Sequence, residues 1–259
     1  IPDLSLLPHI LQTIMEHNPE GVETFDVNTW QYGKQFLPED TLRISEYFSH
    51  GEKLIVIAQF SESTQAKTDT LAQRCVEKLS HHVSRTTYIA DTALVHSLWT
   101  VRRAAYKILR DAVYDTPMKK AVPCMEDVIV PISRYDVFIP KLLDILHTHN
   151  ITYGFHGHIG DGSIRVIPII DFTEKDKAIS QIEHICKETF KLIKDLQGNM
   201  SADHGDGLIR TPFLREFYGD QLYEKVILGI KKIFDPHNIF NNDKKQSVHI
   251  ADWADMLKW

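Results

Sequence analysis

The stretch Ile151-Thr-Tyr-Gly-Phe-His-Gly-His-Ile-Gly-Asp-Gly-Ser-Ile-Arg-Val-Ile-Pro-Ile-Ile-Asp171 sets the organisation of this chain. Ile151–His156 reads as one short apolar strand and Ile164–Asp171 as a second, with a glycine-rich turn between them. Upstream, Asp127–Pro131 reads as a strand and Tyr135–His149 as a helix. Downstream, Thr173 opens a long helix, with Asp176 three residues on as an approximate capping box. Its apolar face is Ile179, Ile182, Ile185, Cys186 and Ile193, and Gly198 is expected to stop it. The order strand, helix, strand, strand, helix predicts an α+β fold, a ferredoxin-like antiparallel sheet with helices packed on it.

Nearer the start, Leu4, Leu7, Ile10, Leu11 and Ile14 mark a helix over 4–17, and Val22–Val27 is strand-like. Leu54–Phe60 reads as a buried strand, 63–81 as a helix and Thr86–Ala90 as the returning strand. These fit a related unit in the same sheet. Asp91 is placed to cap a long helix carrying Leu94, Leu98, Val101, Ala105 and Ile108, ending near Asp115-Thr-Pro117. A last helix spans Asp220–Phe234. No linker or low-complexity tract divides the chain, so residues 1–259 read as one domain.

A second glycine turn nearly repeats the first: His158-Ile-Gly-Asp-Gly-Ser-Ile-Arg165 and His204-Gly-Asp-Gly-Leu-Ile-Arg210. Either copy alone is ordinary turn chemistry. Two copies, each with histidine before and arginine after, point to one site. Histidine moves protons near neutral pH, arginine offers a planar fork for a carboxylate, and glycine lets the backbone approach a ligand. His158, Arg165, Asp203 and His204 are therefore expected to meet on one exposed concave face. The first motif is expected at the edge of the sheet and the second after a helix end. Of fourteen histidines, only His156, His158 and His204 fall in glycine-rich loops; His81, His82, His147 and His149 read as helix-end or surface residues.

Composition narrows the class. With 43% hydrophobic and 25% charged residues the chain is globular in type, and a net charge of −6 without a basic block argues against nucleic acid. No apolar run suggests membrane insertion and no signal peptide is visible. Cys75, Cys124 and Cys186 are scattered, which suits a reducing cytoplasm. Ile1 and Trp259 do not read as natural termini, so a piece of a longer protein is expected.

Several segments together resemble the C-terminal domain of FAD-linked oxidases, the group of D-lactate dehydrogenases, glycolate oxidase subunits and D-2-hydroxyglutarate dehydrogenases. They are Phe155–Arg165, Glu126-Asp-Val-Ile-Val-Pro131, Ser201–Leu214, Leu98-Trp-Thr-Val-Arg102 and Phe234-Asp-Pro-His-Asn-Ile-Phe-Asn241. The resemblance implies a two-domain flavoenzyme of the vanillyl-alcohol oxidase type that oxidises a small 2-hydroxy acid to the 2-oxo acid. FAD would be bound mainly by an N-terminal domain absent from this sequence. That domain and the hydroxy acid are the expected partners, and the isolated chain is expected to be colourless and inactive.

Carried over residue by residue, the resemblance makes His204 the catalytic base beside the flavin and Arg102 a grip on the substrate carboxylate. Arg102 reads equally well as a helix-surface arginine, with Arg103 beside it. His158 matches a metal-ligand histidine of the metal-dependent members. Those members place histidine and glutamate where this chain has Arg165 and Asp203. A guanidinium repels a cation, so no metal is expected, with His158 and Asp203 the weak candidates. Arg165 instead stands where it can hold the substrate acid alongside His158. Asn241 matches the flavin-side segment, although Asn241-Asn-Asp-Lys244 replaces the family's Asn-Pro-Gly-Lys. Two other readings stand beside this one: a metallohydrolase on His156, His158, Asp161, Asp203 and His204, and a non-catalytic module that keeps the fold.

Overall fold

The computed structural model describes residues 1–48, 51–81, 83, 85–113, 116, 118–242 and 245–246. Six strands form one antiparallel sheet: β1 (Gly21–Asp26), β2 (Leu54–Gln59), β3 (Lys119–Ala121), β4 (Met125–Ile129), β5 (Thr152–Gly157) and β6 (Ser163–Asp171). Its order is β2-β1-β5-β6-β3, and β4 pairs with the same edge of β6 as β3, further along. The helices are α1 (Leu7–Met15), α2 (Val27–Phe36), α3 (Pro38–Arg43), α4 (Gln65–Ser80), α5 (Thr92–Arg103), α6 (Ala105–Ala112), α7 (Tyr135–Thr148), α8 (Lys175–Asp195) and α9 (Thr211–Tyr218). Last comes α10 (Asp220–Leu222), which runs through a π-helical stretch, Tyr223–Leu228, into α11 (Gly229–Phe234).

Alternation along the strands divides the core in two. Leu54, Val22, Ile164, Val166 and Ile170 pack with α1, α4, α7 and α8 on one face. Phe25 packs with Trp30, Leu98 and Val101 on the other, and Ile167 with Leu109 beyond them. The sheet is therefore covered on both sides, and the α+β architecture predicted from 127–193 is present.

Five local expectations fail for identifiable reasons. Thr86–Ala90 is irregular and pairs with no strand among the described residues. The helix capped by Asp91, whose carboxylate does accept the amides of Ala93 and Leu94, breaks at Ala104 into α5 and α6. The predicted end of that helix at Asp115 and Pro117 lies outside the described residues, as does His82. The capping box at Thr173 does not form, because the Asp171 carboxylate takes both the Thr173 amide and hydroxyl. Gln197, at φ 61°, makes the left-handed turn after α8. Gly198 is needed instead for close approach, since a Cβ there would overlap the Ile129 carbonyl. Lastly, the first motif joins two interior strands, so it sits at an end of the sheet rather than its edge. The short elements β3, α2, α3 and α9 carry too little periodicity to be read from sequence.

Candidate functional site

The first motif is shaped by what presses on it. After β5, one 3₁₀ turn (Ile159–Asp161) leads to Gly162 at φ 79° and into β6. A side chain at Gly162 would overlap the Val130 carbonyl, and one at Gly157 the Ser163 carbonyl. Only hydrogen at Cα permits that approach. The packing sends His158 out of the turn toward β1, where its Nδ1 lies 2.5 Å from Glu23 Oε1. The other Glu23 oxygen accepts from Arg102 at 2.6 Å. Glu23 thus bridges two residues that the sequence had marked.

The second motif is wrapped around Asp127. This residue sits at an irregularity in the β4–β6 pairing, at φ 62°, and is fully buried. Its carboxylate accepts the Ser201 hydroxyl at 3.2 Å and the amides of Ala202, Asp203 and His204 at 3.1, 3.0 and 3.0 Å. The Arg210 guanidinium lies 3.4 Å away. Burial pushes the Asp127 carboxyl upward, but the donors from Asp203 and His204 and the Arg210 charge outweigh it. They hold the group well below the usual carboxylate range.

The two motifs meet at Asp203. Arg165 donates to its two oxygens at 3.2 and 2.9 Å. His158 Nε2 and His204 Nε2 lie 4.0 and 3.6 Å from Oδ2. His204 Nδ1 is 3.9 Å from Glu126 and 3.8 Å from Asp127. The side chains of His158, Asp203 and His204 are 38%, 49% and 46% exposed, so the cluster opens to the outside. His158, Arg165, Asp203 and His204 are brought together although they come from separate loops.

Other marked residues fall elsewhere or act differently. Arg102 is buried against Glu23, whereas Arg103 stacks 5.2 Å from the Trp99 ring centre, which separates the two neighbours. His156 is not a loop residue: it lies buried on β5, opposite Arg165 in register. Burial, with the Arg102 and Arg165 charges nearby, lowers its pKa to about 3, so it is neutral. Arg210 is no anion clamp. It is buried and donates to the carbonyls of Glu126, Met200 and Gly205. Asp161 is exposed on its turn. Asn241 is exposed at φ 46° and makes no side-chain contact with the cluster among the described residues. Asp243 and Lys244 lie outside the described residues.

Sequence reasoning missed Glu23 and underused Asp127 and Glu126. Glu23 was visible as one of two acidic residues, with Asp26, in the strand-like run Val22–Val27. Glu126 is half-buried, and burial raises its carboxyl pKa against the opposing charges of His204, Arg165 and Arg210.

Asp127, Asp203 and His204 bring donor atoms within 4.8 Å of one another. A divalent cation does not suit them. The Asp127 oxygens are already taken by several donors, and the Arg165 charge lies against Asp203. The hydrolase set is also split, since His156 is buried and Asp161 does not join the group.

The sequence matches the family described as FAD linked oxidases, C-terminal domain, over residues 2–245, and the chain belongs to that family. It is 25% identical to a D-2-hydroxyglutarate dehydrogenase of Haemophilus influenzae, over 89% of this chain and 23% of that protein. It is 31% identical to a probable mitochondrial D-lactate dehydrogenase of Danio rerio, over 46% of this chain and 23% of that protein. The fold is similar to that of 4-ethylphenol oxidase from Gulosibacter chungangensis, with a TM-score of 0.57 and 12% identity, covering 93% of this chain and 51% of that one. The chain thus spans less than a quarter of the D-2-hydroxyglutarate dehydrogenase's length. No helix among the described residues is long and apolar enough to cross a membrane.

Proposed function

We propose that residues 1–259 form the substrate-side domain of a longer FAD-dependent enzyme that oxidises a small 2-hydroxy acid to the 2-oxo acid. The observation that carries this reading is the meeting of two histidines and an arginine at Asp203 on an open face. That face fits a flavin supplied by another domain, because its polar edges are exposed rather than buried in the fold. His204, with Asn241 a weaker second candidate, is the residue that would lie against it. Bound there, FAD supplies the acceptor for the hydride from the substrate's C2.

The remaining steps belong to this chain. His204 takes the hydroxyl proton; its ring nitrogens lie 3.6 to 3.9 Å from the carboxylates of Asp203, Glu126 and Asp127. Glu23 facing His158 Nδ1 keeps a proton on that nitrogen and turns Nε2 toward the cluster. Arg165 exchanges part of its contact with Asp203 for the substrate carboxylate. Arg102, locked to Glu23, positions His158 through that carboxylate. The apolar surface at Ile233, Phe234, Ile239 and Phe240 is exposed, and the chain beyond it returns to the second motif through Lys245 and Asp206. Such a surface suits docking of a neighbouring domain. The three buried free cysteines suit a reducing, cytoplasmic setting.

The test uses the full-length protein. His204→Ala should slow flavin reduction by about 10²–10⁴-fold in stopped flow, with substrate affinity little changed. Arg165→Ala should chiefly raise KM. Normal reduction rates in the His204 variant would overturn the assignment of the base.

A further inference from the structure

Where the two motifs meet, cations and carboxylates differ in number and in freedom. Three guanidiniums, Arg102, Arg165 and Arg210, face four carboxylates, Glu23, Glu126, Asp127 and Asp203. Two of the guanidiniums cannot change partner. Arg102 is 5% exposed and donates to Glu23, and Arg210 is 3% exposed and held by Asp127 and three backbone carbonyls. Moving either would strand a buried charge. Two further cations near the motifs, Arg110 and Lys245, are engaged by Asp111 and Asp206.

Arg165 differs on each count. One nitrogen, Nη2, meets both Asp203 oxygens, at 3.2 and 2.9 Å, so the planar fork is not filled. Its Nε is buried with no hydrogen-bond partner among the described residues. Asp203 is half exposed and its backbone amide is fixed by Asp127, so the side chain is free to turn away while the loop stays in place. Its Oδ2 lies 2.9 Å from Arg165, 3.6 Å from His204 Nε2 and 4.0 Å from His158 Nε2. A substrate carboxylate on Arg165 has to take that position, which brings the hydroxyl on the next carbon beside His204.

Resting on the reading of this face as the substrate site, we infer that it accepts one carboxylate and rejects a second. The substrate is then a 2-hydroxy monocarboxylic acid, and Glu126 and the displaced Asp203 are the residues that set the choice. One incoming carboxylate replaces Asp203 on Arg165, and the guanidinium stays paired. A second finds no exchangeable guanidinium among the described residues. It meets Asp203, now without its partner, and Glu126, which lies 3.9 Å from His204 Nδ1, the other nitrogen of the same ring. Although burial raises the Glu126 carboxyl pKa, the charges of His204, Arg165 and Arg210 favour its ionised form. Like charges repel more strongly in a half-buried site than in water, so the discrimination comes from a penalty on the wrong ligand rather than from an added contact. An apolar substituent on C2 carries no such penalty.

The full-length, FAD-loaded protein is mixed anaerobically with 2-hydroxybutyrate or 2-hydroxyglutarate, each as both enantiomers, and the flavin reduction rate divided by Kd is compared. The monocarboxylate should lead by about a hundredfold or more, and Glu126→Gln and Asp203→Asn should each narrow that ratio by about tenfold. A dicarboxylate that reduces the flavin as well as the monocarboxylate overturns the inference, as does a ratio that neither variant moves. Calorimetric binding of acetate and succinate, which lack the hydroxyl, reads the same choice without turnover. Acetate should bind more tightly than succinate. Asp203→Asn should tighten acetate by about three- to fivefold, and that gain should vanish in an Arg165→Met background. Succinate bound as tightly as acetate, or a gain that persists without Arg165, overturns the exchange. If neither hydroxy acid reduces the flavin while acetate behaves as expected, the dehydrogenase reading fails and the charge selection stands.

Discussion

The two glycine motifs are nearly the same in sequence and opposite in construction. In the first, the glycines are demanded by contact: a Cβ at Gly162 would strike the Val130 carbonyl and one at Gly160 the Val22 side chain. In the second, Gly205 and Gly207 have φ of 74° and 58° but open space around them, so conformation alone requires glycine. The arginines diverge in the same manner. Arg165 reaches the exposed Asp203 carboxylate, whereas Arg210 is buried among carbonyls and Asp127. One motif extends its arginine to a half-exposed carboxylate, and the other uses it to hold its own loop. A repeated pattern therefore carries a repeated turn without a repeated role.

The arginines give the sharpest way to break this comparison. Arg210→Met leaves a buried Asp127 carboxylate without its cation, and should cost about 3–5 kcal/mol in urea denaturation. Arg165→Met, whose partner is half exposed, should cost no more than about 1 kcal/mol. Equal losses would mean that both arginines are structural. The glycines come next. Gly162→Ala combines left-handed strain with backbone overlap and should cost about 3 kcal/mol or more, against about 1–2 kcal/mol for Gly207→Ala, measured the same way.

His156, on the strand that leads into the first motif, adds a pH test. Its pKa falls from 6.5 in the unfolded chain to about 3 when folded. Between those values the unfolded chain holds one more proton than the folded one. Stability is then fully present above pH 6.5 and declines as pH falls, by about 1.4 kcal/mol per unit from this group. Comparing His156→Gln with the parent between pH 6.5 and 4.5 isolates that slope, and an unchanged slope would show the ring to be titrating normally. The smallest effect concerns metal. Stripping with a chelator should shift the melting temperature by less than about 1 °C, because the donors around Asp127 are already engaged. A larger loss would place a cation between the motifs and merge their roles.

Much of the fold was legible because it rests on local pattern. Alternation and apolar runs located β1, β2, β5 and β6, and helical spacing located α1, α4, α7 and α8. The misses arose where tertiary contact overrode local preference. Asp171 captured the Thr173 groups that a helix cap needed, and Ile129 occupied the space beside Gly198. The site was legible in its residues but not in its partners. His158, Arg165, Asp203 and His204 were all marked, while Glu23 was not.

By itself, the sequence determined the hairpin, its glycine turns, the helices that flank it and the family that these motifs define. Tertiary structure alone decided which arginine reaches an exposed carboxylate, that Arg102 pairs with Glu23, and that His156 stays neutral. The physical reason is distance along the chain. The groups that set these roles are 79 residues apart for Arg102 and Glu23, and 135 apart for His158 and Glu23. A charge's partner and its burial are properties of the packed sheet and appear only once β1, α5 and the two motif loops are brought into contact.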